Sequence, residues 1–497
     1  MFNLNLSFLS FSDGAKYAEI ARNIVNGLGF GTRFHFWDNN IQNNLLGATF
    51  PADYIPAFMP YAIAFFFKIF GVNDMAVILT SSVFFLISLF FVFLLSNLIY
   101  KNKLISLATV AVVALNLDLI NYSLSGASET AFIFLLLAVG YFISLKKKWA
   151  NLLSFLLMIV LYLTRSQGVI YIFCFLTYFC FINFKPKRAL LYSLIGVVVG
   201  SATYLLFSRQ GLVAVTQNLP GNAVSDSLRG VEFKFDLLAV AKKVFYNLYN
   251  FYKAVPDILN PYLFLLFILG LVIKEKDQIL TKFKLFTLLI TSLTFLFTAM
   301  TIPFYRYIHP IVPFVYIISI GTLWKIVETF TSENINDNLK RLIFIGLVFV
   351  LGLGQTIGVV MLDSRFNKAR FNVNKPPIYQ QMAVKLKDST DQNSVVVTNL
   401  DTWGSWYGER KTVWYPVDPE MIVPYKENIN YIYLTSYKMD DENYYMGKKW
   451  REIFDNPENQ KVLPEYKFVA RYTFSSNDNF ENEDGRAVLL IKKDADK

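Results

Sequence analysis

The chain has 497 residues, of which 54% are hydrophobic and only 17% charged, and its formal net charge is +10 at pH 7. This composition excludes a single soluble domain and is typical of a protein that crosses a membrane several times. The basic residues form short clusters between apolar runs, a pattern that indicates membrane orientation rather than a nucleic-acid partner. Because the chain has only two cysteines and two histidines, a disulfide framework and a histidine-rich metal site are also excluded.

The first predicted element is a polar helix led by an acid. The chain reads Ser-Asp-Gly-Ala-Lys-Tyr-Ala-Glu-Ile-Ala-Arg from Ser12 onwards, and glycines at positions 27, 29 and 31 end the helical pattern. A bilayer gains nothing from packing such a helix, so we predict a catalytic loop on the membrane face. The alternative is that Asp13 only stabilises the helix N-terminus, by roughly 1 kcal/mol.

The stretch from residue 50 to residue 75 predicts a helix that lies along the surface. It contains three prolines, followed by an apolar run that ends at Phe70-Gly71 and is short for a membrane span. We expect this helix to hold Asp53 and Tyr54 beside the Asp13 helix.

Apolar runs downstream predict about ten membrane spans. They lie near residues 76–100, 104–122, 129–145, 150–164, 168–184, 189–207, 261–273, 283–302, 308–327 and 342–361. Basic clusters such as Lys146-Lys147-Lys148 and Lys274 with Lys276 fall on alternate loops, which are therefore predicted to be cytoplasmic. The other loops would face outward. Because the first ten residues are too short and too polar to cross a membrane, either the true start lies upstream or the second span is the anchor, and we expect a further helix upstream.

The sequence divides into three regions. Residues 1–75 form the predicted outer catalytic loop, residues 76–362 the membrane domain with a long outer loop at 208–260, and residues 363–497 a polar tail. In the tail, short β-type runs near 394–398, 431–434 and 487–491 alternate with helical stretches such as 378–387, which predicts an extracytoplasmic α/β domain.

Isolated charged residues of both signs converge on the predicted outer face. Charges at span ends are costly unless they pair or line a polar cavity, so their convergence predicts a site there. Snorkelling at the interface and ordinary loop charge are the alternatives. These residues are Asp13, Lys16, Arg22, Arg33, Asp38, Asp53, Asp118, Glu129, Arg165, Arg209 and Arg306.

Two arginines at separate outer turns are candidates for binding a phosphate. Arg165 interrupts an apolar hairpin, and Arg306 lies in Pro-Phe-Tyr-Arg-Tyr-Ile-His-Pro at the outer end of another span. Guanidinium groups at the depth of lipid headgroups can bind phosphate oxygens in pairs. The alternative is a structural ion pair with Asp118 or Glu129.

These residues resemble the polytopic glycosyltransferases of the GT-C fold that use lipid-linked sugars. The branch concerned contains the protein O-mannosyltransferases and the lipid A aminoarabinose transferases. The resemblance covers most of the chain and rests on the order and sidedness of several short motifs. They are the acid-led helix from Asp13, the surface helix that closes at Phe70-Gly71, Ser128-Glu129, Leu163-Thr164-Arg165, Arg306-Tyr307 with Pro310, and Trp406-Tyr407-Gly408-Glu409-Arg410 in the tail.

The resemblance implies that Asp13 is the general base and that Glu129 is a second acid near the acceptor or donor. The predicted donor-phosphate site comprises Lys16, Arg165, Arg306 and Tyr307, and the residues predicted to line the acceptor side are Asp53, Tyr54 and Tyr17. One departure is that Gly14 stands where an acid commonly follows the aspartate, which puts a metal ligand there in doubt. A divalent cation held by carboxylates stays open as a cofactor.

The sequence therefore predicts a multi-pass cell-membrane protein with its large loops and tail outside the cytoplasm. Its predicted activity is transfer of a sugar, with inversion, from a polyprenyl-phosphate donor to a hydroxyl of a lipid, glycan or protein. A sugar phosphate already carries a good leaving group, so a base for the acceptor and cations for the phosphate would suffice. The alternatives are a transporter or flippase, in which the same charges would form a transport path, and a non-catalytic polymer-assembly protein.

Overall fold

The computed structural model describes most of the chain and shows a helical protein with a mixed sheet formed largely by its tail. The described residues are 8–37, 41, 45–52, 55–184, 187–188, 237–301, 303–331, 336–354, 376–440, 445–475 and 485–493. The predicted span at 189–207, the first part of the 208–260 loop with Arg209, and the residues Asp38, Asp53 and Tyr54 lie outside these ranges.

The acid-led helix forms as predicted. Helix α1 covers Ser12–Val25 and buries a face of small and apolar side chains that includes Ala15, Ala18 and Ile20. It ends before Gly27, whose φ of +78° is a left-handed conformation that glycine adopts without strain. Three two-residue strands follow, which are β1 (Gly31–Thr32), β2 (Phe34–His35) and β3 (Phe50–Pro51).

A helix also forms at the position where the sequence predicted the surface helix. Helix α2 covers Phe58–Phe70 and ends at Gly71, with φ of +80°. Met59, Ile63 and Phe67 are buried on one side. Large apolar side chains on the other side stay exposed, namely Tyr61, Phe65, Ile69 and Phe70. This distribution fits a helix whose exposed face contacts lipid.

Among the described residues, three helical segments are long and apolar enough to cross a membrane, namely Asp74–Tyr100, Gln278–Met300 and Tyr305–Phe330. The helices of this region are α3 (Asp74–Tyr100), α4 (Lys103–Ala114), α5 (Leu117–Ser123), α6 (Glu129–Ser144), α7 (Lys148–Thr164), α8 (Gly168–Asn183), α9 (Leu237–Ile258), α10 (Pro261–Val272), α11 (Gln278–Met300), α12 (Val312–Phe330) and α13 (Asp337–Leu347). The part of the chain that the structure describes has five further apolar helices of 10–17 residues, α2 among them, which are shorter than a full span. The number of about ten spans stays a prediction from the apolar runs.

The run at 104–122 is a broken helix rather than one straight span. Helices α4 and α5 meet at an angle of 67°. Asn116 lies between them, and its side chain accepts a hydrogen bond from the backbone N–H of Leu119, which caps the second helix. The pair would still count as one broken span or as a re-entrant loop.

The predicted α/β character of the tail is confirmed. It contains α14 (Ile378–Ser389), β4 (Val395–Thr398), α15 (Trp403–Trp406), β5 (Lys411–Trp414), β6 (Tyr431–Thr435), α16 (Lys448–Asp455), β7 (Tyr466–Phe474) and β8 (Gly485–Lys492). The sheet has the order β2-β5-β4-β6-β8-β7, parallel from β2 to β6 and antiparallel at β8 and β7.

The first loop and the tail share one sheet and two cores. Strand β2 pairs in parallel with β5, with Phe34 opposite Thr412. Residues of α1 and α2 pack with Val396 and Leu489 on one side of the sheet, whereas Phe34 and Phe50 join the core on its other side. The segment that carries Asp13 is therefore attached to the tail as well as to the membrane helices.

Candidate active site

A close backbone contact brings the start of α1 against the start of α6. A Cβ atom built on Gly14 would lie 2.2 Å from the carbonyl oxygen of Ser125, so only glycine fits. Gly126, with φ of +70°, faces the same contact: a Cβ atom on it would lie 3.4 Å from the Cα of Gly14. This approach places Asp13 near Glu129, and it gives a structural reason why no acid follows Asp13.

Asp13 lies in the first turn of α1, and its carboxylate faces one cation from a distant part of the chain and one cation of α1 itself. Arg306 Nη1 lies 2.6 Å from Asp13 Oδ2, and Lys16 Nζ lies 3.6 Å from Asp13 Oδ1. The side chain of Asp13 remains 24% exposed and that of Arg306 21% exposed, so the pair stands at the edge of the site. Phe11 is the N-cap residue of α1, and no side chain forms a capping hydrogen bond there. The main partner of Asp13 is Arg306.

Glu129 is the first residue of α6 and is fully enclosed, with 1% of its side chain exposed. Arg165, in the extended link between α7 and α8, places Nη1 2.6 Å from Glu129 Oε1 and is 9% exposed. The same nitrogen donates a hydrogen bond to Ser128 Oγ over 3.1 Å. This buried pair is the ion pair that the sequence offered as the alternative role of Arg165.

Arg306 connects the two carboxylates. Its Nη1 atom, 2.6 Å from Asp13 Oδ2, is also 4.0 Å from Glu129 Oε1. Tyr307 lies between the two arginines, with Arg165 Cζ 5.2 Å and Arg306 Cζ 5.1 Å from its ring centroid. Such cation–π contacts hold guanidinium groups in place without using their N–H donors.

Tyr17 and Lys16 complete the cluster from α1. The Tyr17 hydroxyl lies 3.3 Å from Ser128 Oγ, and the Lys16 ammonium lies 5.2 Å from the ring centroid of Phe36. Phe11 lies beside Arg306, with 5.0 Å between its ring centroid and the guanidinium carbon.

Burial and neighbouring positive charges have opposite effects on the pKa of Asp13, whereas burial and the charge of Asp13 act together on the pKa of Tyr17. Burial alone would raise the pKa of Asp13, but the positive charges of Arg306, Lys16 and Arg165 outweigh it and hold that pKa well below its usual value. Burial, reinforced by the charge of Asp13, raises the pKa of Tyr17, which therefore keeps its proton at neutral pH. Asp13 is thus an anion, and Tyr17 a hydroxyl that can donate a hydrogen bond.

Asp118 pairs with a histidine and not with either arginine. His309 Nε2 lies 3.2 Å from Asp118 Oδ2, and His309 Nδ1 lies 2.8 Å from the hydroxyl of Tyr122. His309 follows Arg306 closely in the chain, so this contact fixes the turn that carries Arg306 against α5.

The arrangement does not fit a divalent cation. Within the described ranges, no group of three or more His, Cys, Asp or Glu side chains could hold a metal ion. Asp13 and Glu129 each have an arginine nitrogen 2.6 Å away, which competes with a metal for the carboxylate oxygens.

The structure brings together Asp13, Lys16, Tyr17, Glu129, Arg165, Arg306 and Tyr307. Asp53 and Tyr54 lie outside the described residues, and their place at the site stays a prediction. Ser128 was named from the sequence only within the Ser128-Glu129 motif, and the contacts of its hydroxyl with Arg165 and Tyr17 were missed. The signal was available, since Ser128 precedes an isolated acid in an apolar stretch.

Solved structures with a similar architecture include those of an oligosaccharyltransferase and of ArnT. The archaeal oligosaccharyltransferase AglB from Archaeoglobus fulgidus, in complex with an inhibitory peptide and a dolichol-phosphate, superimposes with a TM-score of 0.53 at 11% identity, over 96% of this chain and 71% of that one. ArnT from Cupriavidus metallidurans bound to undecaprenyl phosphate gives 0.52 at 10% identity, over 98% of this chain and 95% of that one.

At such low identity these similarities establish the fold alone. The chain matches no protein-family model, and no curated protein is significantly similar to it. The structural match extends over nearly the whole chain, including both the membrane helices and the tail. The chain therefore has the GT-C fold of AglB and ArnT, as the resemblance in its sequence predicted.

Proposed function

We propose that this protein is an integral membrane glycosyltransferase that transfers a sugar from a polyprenyl-phosphate donor to an acceptor hydroxyl, with inversion, outside the cytoplasm. The observation that carries the proposal is the joining of Asp13 and Glu129 by Arg306, on a fold shared with two proteins whose structures hold a polyprenyl-type phosphate. The sugar would be a hexose or a pentose.

The charge of the site suits a phosphodiester. Lys16, Arg165 and Arg306 bring three positive charges, whereas Asp13 and Glu129 bring two negative ones. The single excess positive charge equals in magnitude the charge of a sugar phosphodiester, so the bound donor would neutralise the cluster. A buried site that is neutral only with its ligand favours binding of that ligand.

The proposed reaction is a direct displacement at the anomeric carbon. The acceptor oxygen forms a bond to that carbon, and its proton passes to the carboxylate of Asp13. The bond between the anomeric carbon and the phosphate oxygen breaks, and its electron pair stays on the phosphate, which gains one negative charge. Nearby cations stabilise this charge as it develops, so no general acid is needed.

Arg306 would exchange partners when the donor binds. In the absence of donor its guanidinium group pairs with Asp13, and the low pKa of Asp13 makes the carboxylate a weak base. A phosphate that draws Arg306 away would let the pKa of Asp13 rise towards its usual value. Arg165 is less free to move, because it is enclosed with Glu129 and Ser128.

The placement of the reaction follows from charge asymmetry in the loops. Lysine clusters at Lys146–Lys148 and Lys274–Lys276 predict a cytoplasmic side, and the Asp13 site lies on the other predicted side. The acceptor would be a lipid, a glycan or a protein.

Binding of a polyprenyl phosphate provides a test of the proposal. The purified protein in nanodiscs is mixed with undecaprenyl phosphate or dolichyl phosphate, and native mass spectrometry counts bound lipid in the wild type and in Arg306→Leu. We expect a bound polyprenyl phosphate in the wild type and weaker binding in the variant. The proposal would be contradicted if the wild type bound phosphatidic acid, added at a similar mass fraction, as well as it binds the polyprenyl phosphates. It would also be contradicted if no polyprenyl phosphate bound at all. Transport of the lipid without cleavage would favour the flippase alternative.

A further inference from the structure

Residues of the tail form hydrogen bonds near both ends of α1, the helix that carries Asp13. Near the first end, the Thr402 hydroxyl donates a hydrogen bond to the carbonyl oxygen of Ser12 over 2.8 Å. Near the last turn, Arg22 donates from both Nη atoms to the backbone carbonyls of Ser405 and Trp406, over 2.7 and 3.0 Å. Thr402, Ser405 and Trp406 all belong to the one short turn around helix α15.

The same turn also fixes the segment ahead of α1 to the membrane domain. The Tyr407 hydroxyl donates to Asp74 Oδ2 over 2.7 Å and accepts from the backbone N–H of Leu9 over 2.9 Å. Trp406 Nε1 donates to the other oxygen of Asp74 over 2.8 Å. Because Asp74 is the first residue of the long helix α3, tail, first loop and membrane helix meet at one carboxylate.

The cleft at this junction is a contact between the tail, the first loop and helix α3 rather than a ligand site. It has a volume of about 590 Å³ and is lined in part by Arg22, Asn73, Asp74 and Trp406. The polar groups of these side chains are already used within the protein: Arg22 and Asp74 as described, and Asn73 through Phe70, Gly71 and Ala76. The ring of Trp406 stacks on the ring of Phe67, with 6.1 Å between the centroids, and the guanidinium carbon of Arg22 lies 4.8 Å from the Trp406 ring centroid.

We infer that Thr402 and Tyr407 of the tail are positioning residues, which set the place of Asp13 relative to Glu129 and Arg306. The inference rests on the proposed function. Neither residue touches the reacting groups. They act through the backbone of Ser12 and Leu9, which lie one and four positions before Asp13. A displacement of about 1 Å in a reacting group can reduce a rate about 100-fold.

Conservative substitutions test this without disturbing the site itself. Thr402→Val and Tyr407→Phe remove one hydroxyl each, and Thr402→Ser restores it. The matched controls are Thr390→Val and Tyr431→Phe, whose hydroxyls bond within the tail. The Thr390 hydroxyl donates to the carbonyl oxygen of Leu386 and accepts from Arg410 Nε, and the Tyr431 hydroxyl donates to Asp391 Oδ2. We expect each test variant to lower kcat roughly 10-fold with little change in KM for the donor, and Thr402→Ser to recover most of it.

Hydrogen exchange of residues 9–25 provides a readout that needs no activity. Exchange in α1 should rise about 10-fold in Thr402→Val and Tyr407→Phe, while exchange in strands β4 and β6 stays at the wild-type level. If exchange in α1 rises in the test variants but the wild type transfers no sugar, the proposed function is refuted, whereas the anchoring of α1 by the tail is supported. Test variants that behave like Thr390→Val and Tyr431→Phe in both exchange and kcat would overturn the inference.

Discussion

Arg306 and Asp13 are 293 positions apart in the sequence, yet the guanidinium nitrogen Nη1 and the carboxylate oxygen Oδ2 lie 2.6 Å apart. The contact links the polar helix of the first loop to the turn that precedes helix α12. It also joins the residue proposed as the base to the residue proposed to hold the donor phosphate.

Replacing Asp13 by Asn should abolish transfer while preserving the fold. The amide is nearly isosteric but cannot accept the proton of the acceptor, and loss of a general base costs a factor of about 10²–10⁴ in rate. Donor binding should be kept or increased, since Arg306 loses its competing carboxylate. Turnover is measured as release of polyprenyl phosphate, with Asp277→Asn as the control, because Asp277 only caps helix α11 and pairs with Lys101. Wild-type turnover in Asp13→Asn would reduce Asp13 to a helix-stabilising residue.

The two arginines should differ when each is replaced by Leu. Arg165→Leu leaves Glu129 buried without its partner, which should cost about 3–5 kcal/mol of stability. Arg306→Leu removes a partly exposed group and should weaken donor-phosphate binding about 10-fold or more, with a small effect on stability. Thermal unfolding and binding of undecaprenyl phosphate separate the two effects. Unchanged lipid affinity in both variants would remove the arginines from the phosphate site.

The Arg306–Asp13 pair also predicts a pH effect. The pKa of Asp13 is lower in the folded protein than in the unfolded chain, so its stabilising contribution is present above the unfolded value near 4 and is lost as pH falls through the lower folded value. Arg306→Leu removes the largest of the opposing charges and should raise the pKa of Asp13. The acid limb of kcat/KM should therefore move to higher pH in this variant, and an unmoved limb would argue against Asp13 as the base.

Replacing Gly14 by Ala should separate Asp13 from Glu129. The added methyl group would lie 2.2 Å from the carbonyl oxygen of Ser125, so α1 must shift, at a cost of about 1–3 kcal/mol. Activity should fall further than this loss of stability explains. Gly346→Ala is the matched control, because no atom lies within 4 Å of the added group there. If both variants retain stability and turnover, the close packing of α1 on the start of α6 has no role in the site.

The predicted orientation can be tested by labelling single cysteines in intact cells. After replacement of Cys174 and Cys180, cysteines are placed at the exposed positions Lys147 and Lys461. The charge asymmetry predicts that a membrane-impermeant reagent labels position 461 and leaves position 147 unlabelled. The reverse pattern would place the tail and the Asp13 site in the cytoplasm, which is incompatible with a donor on the outer leaflet.

Local sequence patterns predicted much of the fold. Apolar runs located helices such as Asp74–Tyr100, and short β-type runs located strands such as Tyr431–Thr435. The break at Asn116 was missed, because Asn116, Asp118 and Asn121 alternate with apolar residues and do not shorten the apolar run enough to divide it. The pairing of Phe34–His35 with the tail was also missed, since a two-residue strand carries no periodicity and its partner lies far along the chain.

At the site, the charges were predictable but their partners were not. Isolated ionisable residues in apolar surroundings are conspicuous, and Asp13, Glu129, Arg165 and Arg306 were all identified in this way. Sequence alone could not show that Arg306 pairs with Asp13 while Asp118 pairs with His309, because tertiary packing decides between carboxylates of the same type. The hydrogen bonds between the tail and α1 are accepted by backbone carbonyls, so the side-chain types in the sequence do not reveal them.

The most direct test of the proposed role of Arg306 is a structure of the protein with undecaprenyl phosphate bound, determined by cryo-electron microscopy in nanodiscs. We predict that the phosphate lies within hydrogen-bond distance of the Arg306 guanidinium group, that Arg306 has left Asp13, and that Arg165 still pairs with Glu129. A phosphate bound elsewhere, with the Arg306–Asp13 pair intact, would contradict the account.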